Sequence, residues 1–112
     1  KQEMVWQGCV VEGNMKNEVD SILDERGKRY GSFMGHATVS QDIQAIIREG
    51  FYNNANIASI DDIDEDMAEA LFMIAHKIGR IVNGDPWYAD SWIDIAGYAK
   101  LVADRLENNI ER

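Results

Sequence analysis

The chain has 112 residues, the size of one domain, and 46% of them are hydrophobic, which favours a folded core over a disordered segment. Eleven lysines and arginines stand against 20 aspartates and glutamates, and a net charge of −9 argues against non-specific binding to a nucleic-acid backbone. The single cysteine, Cys9, excludes an intrachain disulfide, and no apolar run approaches the ~20 residues that span a bilayer. These totals predict a soluble, cytoplasmic protein without a membrane partner.

The first fourteen residues, KQEMVWQGCVVEGN, combine β-branched and aromatic side chains without a clear period. They predict a short irregular or β-like arm at 1–14, ahead of a single domain at 15–112. Apolar spacing then predicts four helices in that domain. The predicted helices are residues 17–27, 40–53, 67–82 and 91–109.

The last two helices carry the longest apolar stripes. In the fourth, seven residues are expected to face the core: Trp92, Ile95, Ala96, Ala99, Val102, Ala103 and Leu106. The third is expected to end at Gly84 in a left-handed conformation, and Pro86 cannot continue a helix. Because NGDPWYA is a short connection, the third and fourth helices should form an antiparallel hairpin. The fold class is therefore all-α, a four-helix bundle-like domain.

Apolar stripes on more than one side of this domain would expose apolar surface in a monomer. Two-fold symmetry is the commonest way to close such a surface. The sequence therefore predicts a homodimer.

The segment DERGKRYGSFMGHA follows the first helix and is predicted to be a glycine-punctuated turn, redirected at Gly31. Arg26, Lys28 and Arg29 form the densest basic cluster in this acidic chain. With Tyr30, such a turn can hold an anion and stack a base. It can equally be a solvated helix end whose cations complement the helix dipole.

The third helix has a second, mixed face that includes Lys77 and Arg80. One interpretation is a solvated face. The other is a polar cleft, where arginine offers a planar set of donors to phosphate and lysine a point charge.

Two acidic pairs share a helix face: Asp66 with Glu69, and Asp90 with Asp94. They either cap helices and complement the dipole, with Asp90 or Ser91 as the N-cap, or bind a divalent cation such as Mg²⁺. An antiparallel hairpin separates the two pairs unless a second subunit brings them together.

The segment DSWIDIAGYAKL places Asp94 and Tyr98 one turn apart. A partly buried carboxylate needs a counter-ion, so we expect both side chains at a cleft with Lys77 or Arg80. Glycine in mid-helix costs roughly 1 kcal/mol relative to alanine. Gly97 is therefore expected to permit the close approach of another backbone.

Two stretches, RGKRYGS and KIGRIVNGDPWYADSWIDIAGYA, resemble a family of small phage-encoded proteins of unknown function. That family reads R-G-x-x-Y-G-S, then K-x-x-R-I-x-x-G, then D-x-W-x-D-I-A-G-Y-A. Its layout is similar to the all-α nucleoside triphosphate pyrophosphohydrolases of the MazG type, which bind magnesium through E-x-x-E and E-x-x-D pairs. The closest equivalents here are Asp66 with Glu69 and Asp90 with Asp94, the latter at a spacing of four rather than three.

The resemblance implies a magnesium-dependent nucleotide pyrophosphohydrolase, active in the host cytoplasm if the protein is phage-encoded. Two alternatives remain open: a non-catalytic protein that binds or sequesters a nucleotide, and an acidic protein that blocks a host factor. Cations would hold phosphate oxygens and aromatic rings would stack the base. The candidate ligand-binding residues are Arg26, Arg29, Tyr30, Lys77, Arg80, Trp92 and Tyr98.

Overall fold

A computed structural model describes residues 12–112, and their side chains from residue 17 onwards. This part of the chain is helical without strands, which confirms the all-α prediction. The helices are α1 (Glu12–Tyr30), α2 (Phe33–Tyr52), α3 (Glu65–Asn83) and α4 (Ala89–Asn108), with one 3₁₀ turn at Ile60–Asp62. Of the predicted arm at 1–14, residues 1–11 lie outside the described residues and 12–14 belong to α1. None of the helices described is long and apolar enough to cross a membrane.

The segment interpreted as a basic turn is almost entirely helical, so the turn was wrong, and the alternative of a helix end with basic residues in its last turn agrees with the structure. Helix α1 continues to Tyr30, and α2 begins at Phe33, seven residues earlier than predicted. Only two residues connect them. Gly31 redirects the backbone with φ +76°, as expected, and the Ser32 hydroxyl caps α2 by accepting from the Gly35 N–H at 3.0 Å.

Helix α3 is central. Helix α2 packs on one side of it and α4 on another, and within the described residues these two do not pack on each other. Of the α1 residues whose side chains the structure describes, 17–28 are all exposed, and only those near the end of the helix contact the rest of the chain. The buried hydrophobic residues are few and mostly small: Ile60, Ala70 and Ala75.

Helices α3 and α4 form the predicted antiparallel hairpin. Near the end of α4, Arg105 donates to Asp66 and, at 2.7 Å, to Asp64, both at the start of α3. Towards the other end, Lys77 of α3 pairs with Asp94 of α4. The two acidic helix starts therefore lie at opposite ends of the hairpin.

The predicted inward face of α4 was only partly right. Ile95 and Val102 are half-buried, and the other five expected core residues are exposed. Since α4 packs on α3 alone, a single helix covers one side of its apolar surface and leaves the rest open. The exposed residues are Trp92, Ala96, Ala99, Ala103 and Leu106.

Two glycine predictions were also wrong. Gly97 faces open space, because a methyl group added there would have no atom within 4 Å, so it permits no close approach. Gly84 ends α3 with φ −130°, outside the left-handed region. The close contact occurs instead at Gly79, where a methyl group would lie 2.7 Å from the His36 ring. Gly79 thus lets α2 and α3 approach closely.

Candidate functional site

The α1–α2 turn is fixed onto the end of α3 by hydrogen bonds. The Asn83 side-chain amide donates to the carbonyls of Tyr30 at 2.7 Å and Ser32 at 2.9 Å. The Asp85 N–H donates to the Arg29 carbonyl at 2.6 Å. These contacts bring together the last turn of α1, the last turn of α3 and the hairpin turn.

Two arginines and two tyrosines meet at this junction: Arg29, Tyr30, Arg80 and Tyr88. We refer to them as the arginine–tyrosine cluster. The Arg80 guanidinium lies 4.3 Å from the Tyr30 ring centroid, and the Arg29 guanidinium lies 4.6 Å from that of Tyr88. Arg29 also donates to the Tyr88 hydroxyl at 2.9 Å, and the two rings meet edge to face at 6.3 Å. The cluster therefore presents two cations against an aromatic surface.

The two arginines differ in how they are balanced. Arg29 pairs with Glu25 at 3.0 Å. Arg80 pairs with no carboxylate among the described residues, and its buried Nε has no hydrogen-bond partner there. Buried donors in proteins almost always find an acceptor, because leaving one unsatisfied costs ~1–3 kcal/mol. Arg80 is thus a cation with unused hydrogen-bonding capacity.

Tyr88 is held in its protonated form. Its hydrogen bond with Asp90 raises the pKa of the phenol, burial acts in the same direction, and the neighbouring Arg29 opposes both. The hydroxyl therefore remains neutral around neutral pH. Sequence reasoning missed this residue because it lies in the hairpin turn, although an aromatic residue two positions before Asp90 was visible there.

Next to the cluster, Lys77 and Asp94 form the ion pair that the sequence led us to expect. Lys77 is buried, and its Nζ lies 2.9 Å from Asp94 Oδ2. Asp94 and Tyr98 line one groove of about 490 Å³, together with Gly97 and Leu101. The expected shared side of Asp94 and Tyr98 is thus present, with Lys77 rather than Arg80 as the basic partner.

Two histidines lie between α2 and α3. His36 is buried, and its Nε2 is 2.9 Å from the His76 carbonyl oxygen, with the two ring centroids 4.3 Å apart. Burial, followed by the positive neighbours His36, Arg80 and Lys77, lowers the pKa of His76 to about 4. His76 is therefore neutral at neutral pH, and its ring packs against that of His36 between α2 and α3.

A family model described as a domain of unknown function, DUF6378, matches residues 15–106. The chain belongs to the DUF6378 family. Comparison with curated proteins and with solved structures finds no match. The matched span contains both the arginine–tyrosine cluster and the Lys77–Asp94 pair.

This DUF6378 domain does not gather its four candidate metal ligands in one place. Asp66 is bound by Arg105 and Asp94 by Lys77, Asp90 lies beside Tyr88, and Glu69 is exposed. Arg105, the residue that binds Asp66, follows Asp90 by fifteen residues on α4. That separation is about 22 Å along the helix at ~1.5 Å per residue, so Asp66 and Asp90 lie far apart. In the part of the chain that the structure describes, no three acidic, histidine or cysteine side chains converge as metal ligands.

The capping interpretation was also wrong for α4. Tyr88 occupies the N-cap position and no side chain caps the helix, so neither Asp90 nor Ser91 is the cap. Asp90 lies in the first turn, where a carboxylate complements the helix dipole. Ser91 is buried.

Two further ligand candidates lie away from the cluster in this DUF6378 domain. Arg26 is on the exposed part of α1. Trp92 is 54% exposed, and its indole N–H donates to the Pro86 carbonyl at 2.8 Å. Of the seven candidate ligand residues, the cluster brings together Arg29, Tyr30 and Arg80.

Proposed function

We propose that this DUF6378 domain binds a nucleotide or a related phosphate-bearing small molecule at the arginine–tyrosine cluster without hydrolysing it. The observation that carries the proposal is Arg80, whose guanidinium lies 4.3 Å from the Tyr30 ring centroid and whose charge pairs with no carboxylate among the described residues. A phosphate group supplies both an acceptor and a negative charge. The resemblance of the motifs to phage-encoded proteins supports a role in sequestering a nucleotide in a host cell.

The chemistry of the cluster suits such a ligand. A guanidinium donates two parallel hydrogen bonds to phosphate oxygens, and these charge-assisted bonds are roughly twice as strong as neutral ones. Arg29, which donates to the Tyr88 hydroxyl at 2.9 Å, is a further cation beside Arg80. The tyrosine rings supply the flat apolar surface on which a base stacks.

A non-catalytic role is favoured because the carboxylates are occupied by cations or held apart. Asp94 already serves Lys77, and Asp66 already serves Arg105. Neutralising Asp94 should therefore leave nucleotide affinity nearly unchanged.

Calorimetric titration with nucleoside mono-, di- and triphosphates, with and without magnesium, tests the proposal. A ligand present at a hundred times its Kd should raise the free energy of unfolding by about 2.7 kcal/mol. Arg80→Gln should abolish the binding. Arg48→Gln is a matched control, because Arg48 also lies over an aromatic ring, 4.8 Å from the Phe72 centroid, but outside the cluster. Absence of binding by any phosphate compound, or equal binding by the Arg80 and Arg48 variants, would overturn the proposal.

We infer a magnesium-dependent pyrophosphohydrolase as the second candidate, supported by the similarity of the layout to MazG-type enzymes. It requires a second copy, because the acidic starts of α3 and α4 lie at opposite ends of one hairpin. A two-fold antiparallel arrangement would place the start of α3 from one copy near the start of α4 from the other. Release of pyrophosphate from a nucleoside triphosphate with magnesium, lost in Asp94→Asn, would establish this function in place of simple binding.

A further inference from the structure

Helix α4 carries an exposed stripe of small and apolar residues, which we call the α4 stripe. The spacings between its members are four, three, four and three residues. All five are exposed, Trp92 by 54% and Leu106 by 58%. Its members are Trp92, Ala96, Ala99, Ala103 and Leu106.

This spacing is that of a helix-pairing surface. An average step of 3.5 residues keeps one line of side chains against a partner helix along its whole length. The stripe spans fifteen residues of α4, and its first and last members are fourteen steps apart, about 21 Å at ~1.5 Å per residue. It contains no charged residue in a chain with a net charge of −9. Exposure of such a long apolar line to water is unfavourable. The three alanines of the stripe permit the close approach of another helix.

The rest of the described chain does not cover the stripe. Helix α3, the neighbour of α4, contacts a different side of it, through residues such as Asp94 and Arg105. The described residues also bury little of their own apolar surface, with no large side chain fully enclosed. Among the described residues, the stripe is therefore left without a covering surface.

The order of sizes along the stripe identifies the partner. It reads large, small, small, small, large, so the order of sizes is the same from either end, although the spacings of four and three residues alternate in the opposite order. When two such stripes run antiparallel about a two-fold axis at Ala99, Trp92 lies opposite Leu106 of the second copy. Ala96 and Ala103, three and four residues from that axis, then flank the centre, and Ala99 lies opposite its own equivalent. A two-fold interface requires this kind of self-complementarity, whereas an unrelated partner does not.

We propose that the α4 stripe pairs with the α4 stripe of a second copy of this chain, antiparallel and centred on Ala99. Lys100 flanks the centre and would approach its equivalent, but Asp104 neutralises it at 3.1 Å in each copy. The proposal uses no residue of the arginine–tyrosine cluster. It therefore stands or fails separately from nucleotide binding.

The first test is the mass in solution, by light scattering at micromolar concentration. The wild-type chain should have twice its monomer mass of 12.7 kDa. Ala99→Glu should be monomeric, since it brings two carboxylates to the axis. Ala45→Glu is the matched control, an exposed helical alanine on α2, and should stay dimeric. A monomeric wild type, or a dimeric Ala99→Glu variant, would overturn the proposal.

The second test examines the antiparallel register. Mixing Ala99→Glu with Ala99→Lys should restore a dimer, because opposite charges then meet at the axis. In a Cys9→Ser background, Ala99→Cys should form an interchain disulfide, which requires Cα atoms about 4.4–6.8 Å apart. Ala45→Cys should not. A dimer that neither recovers on mixing nor cross-links at residue 99 would refute the register. Circular dichroism of each variant confirms that the helices are intact.

Discussion

The contact at Gly79 allows a prediction in which one substitution has opposite effects at two mid-helix glycines. At Gly79, the methyl group of an alanine would lie 2.7 Å from His36 Cδ2 and 3.0 Å from the His36 carbonyl oxygen. Carbon atoms pack at about 3.5–4.0 Å, so the first contact is too short by about 0.8 Å. The His36 ring cannot easily move aside, because it is buried and bound to the His76 carbonyl.

The magnitude follows from two opposing terms. Overpacking a closely packed interior costs about 1–3 kcal/mol. Alanine regains roughly 1 kcal/mol of helix propensity relative to glycine. Gly79→Ala should therefore destabilise the fold by up to about 2 kcal/mol. At Gly97 the second term acts alone, because no atom lies within 4 Å, and Gly97→Ala should stabilise by roughly 1 kcal/mol.

Urea unfolding followed by circular dichroism measures both values. A double-mutant cycle tests whether the His36 ring causes the destabilisation, because His36→Ala should then relieve much of the cost of Gly79→Ala. If Gly79→Ala is as stabilising as Gly97→Ala, the close approach of α2 and α3 is not as described. If the two histidine backgrounds give the same cost for Gly79→Ala, the ring is not the obstacle.

Three further predictions concern the ion pair, the buried histidine and the α1–α2 turn. Asp94→Ala should lower the free energy of unfolding, measured by urea titration, by about 1–3 kcal/mol, because the buried Lys77 ammonium then lacks its partner. Adding Lys77→Met should recover most of that loss. The pKa of His76 is about 4 in the folded chain and 6.5 as a free side chain, so the unfolded state binds more protons between these values. The contribution of His76 to stability should change little above pH 6.5 and should fall towards pH 4. The fall should be about 1–3 kcal/mol, because solvent screens part of the effect. Thermal unfolding of His76→Gln should show a flatter pH dependence, and an equally steep profile would contradict the assignment. Asn83→Ala removes two hydrogen bonds to backbone carbonyls of the α1–α2 turn and should lower the free energy of unfolding by about 1–3 kcal/mol in urea titrations. It should also weaken nucleotide binding. The control Asn108→Ala, at an exposed position, should behave as wild type.

The helical hairpin was predictable from sequence because independent signals agreed there. The third helix has a continuous apolar stripe, and a short turn containing Pro86 forces the fourth helix back along it. The Lys77–Asp94 contact was predictable for a different reason. A partly buried carboxylate needs a counter-ion, and few cations lie within reach of that part of α4.

The failures have physical causes as well. Glycines and cations around Gly27 indicated a turn, but one glycine in an exposed helix costs only about 1 kcal/mol, and α1 continues through it. The stripe on α4 was correctly identified as apolar but assigned to the chain's own core. Periodicity shows that a face needs covering and does not show which molecule covers it. Tyr88 was missed because no period marks a side chain in a turn.

Helix α1 has nineteen residues, about 28 Å at ~1.5 Å each, and its exposed residues 17–28 precede the end at which the described side chains of the helix contact the rest of the chain. That attachment, Arg29 and Tyr30, is also half of the arginine–tyrosine cluster. The helix is thus a lever whose pivot is the proposed binding site. A tilt of about 10° at the pivot would move the far end by roughly 5 Å for a helix of this length. A small change of angle at the cluster therefore moves the far end of α1 much further than it moves the cluster itself.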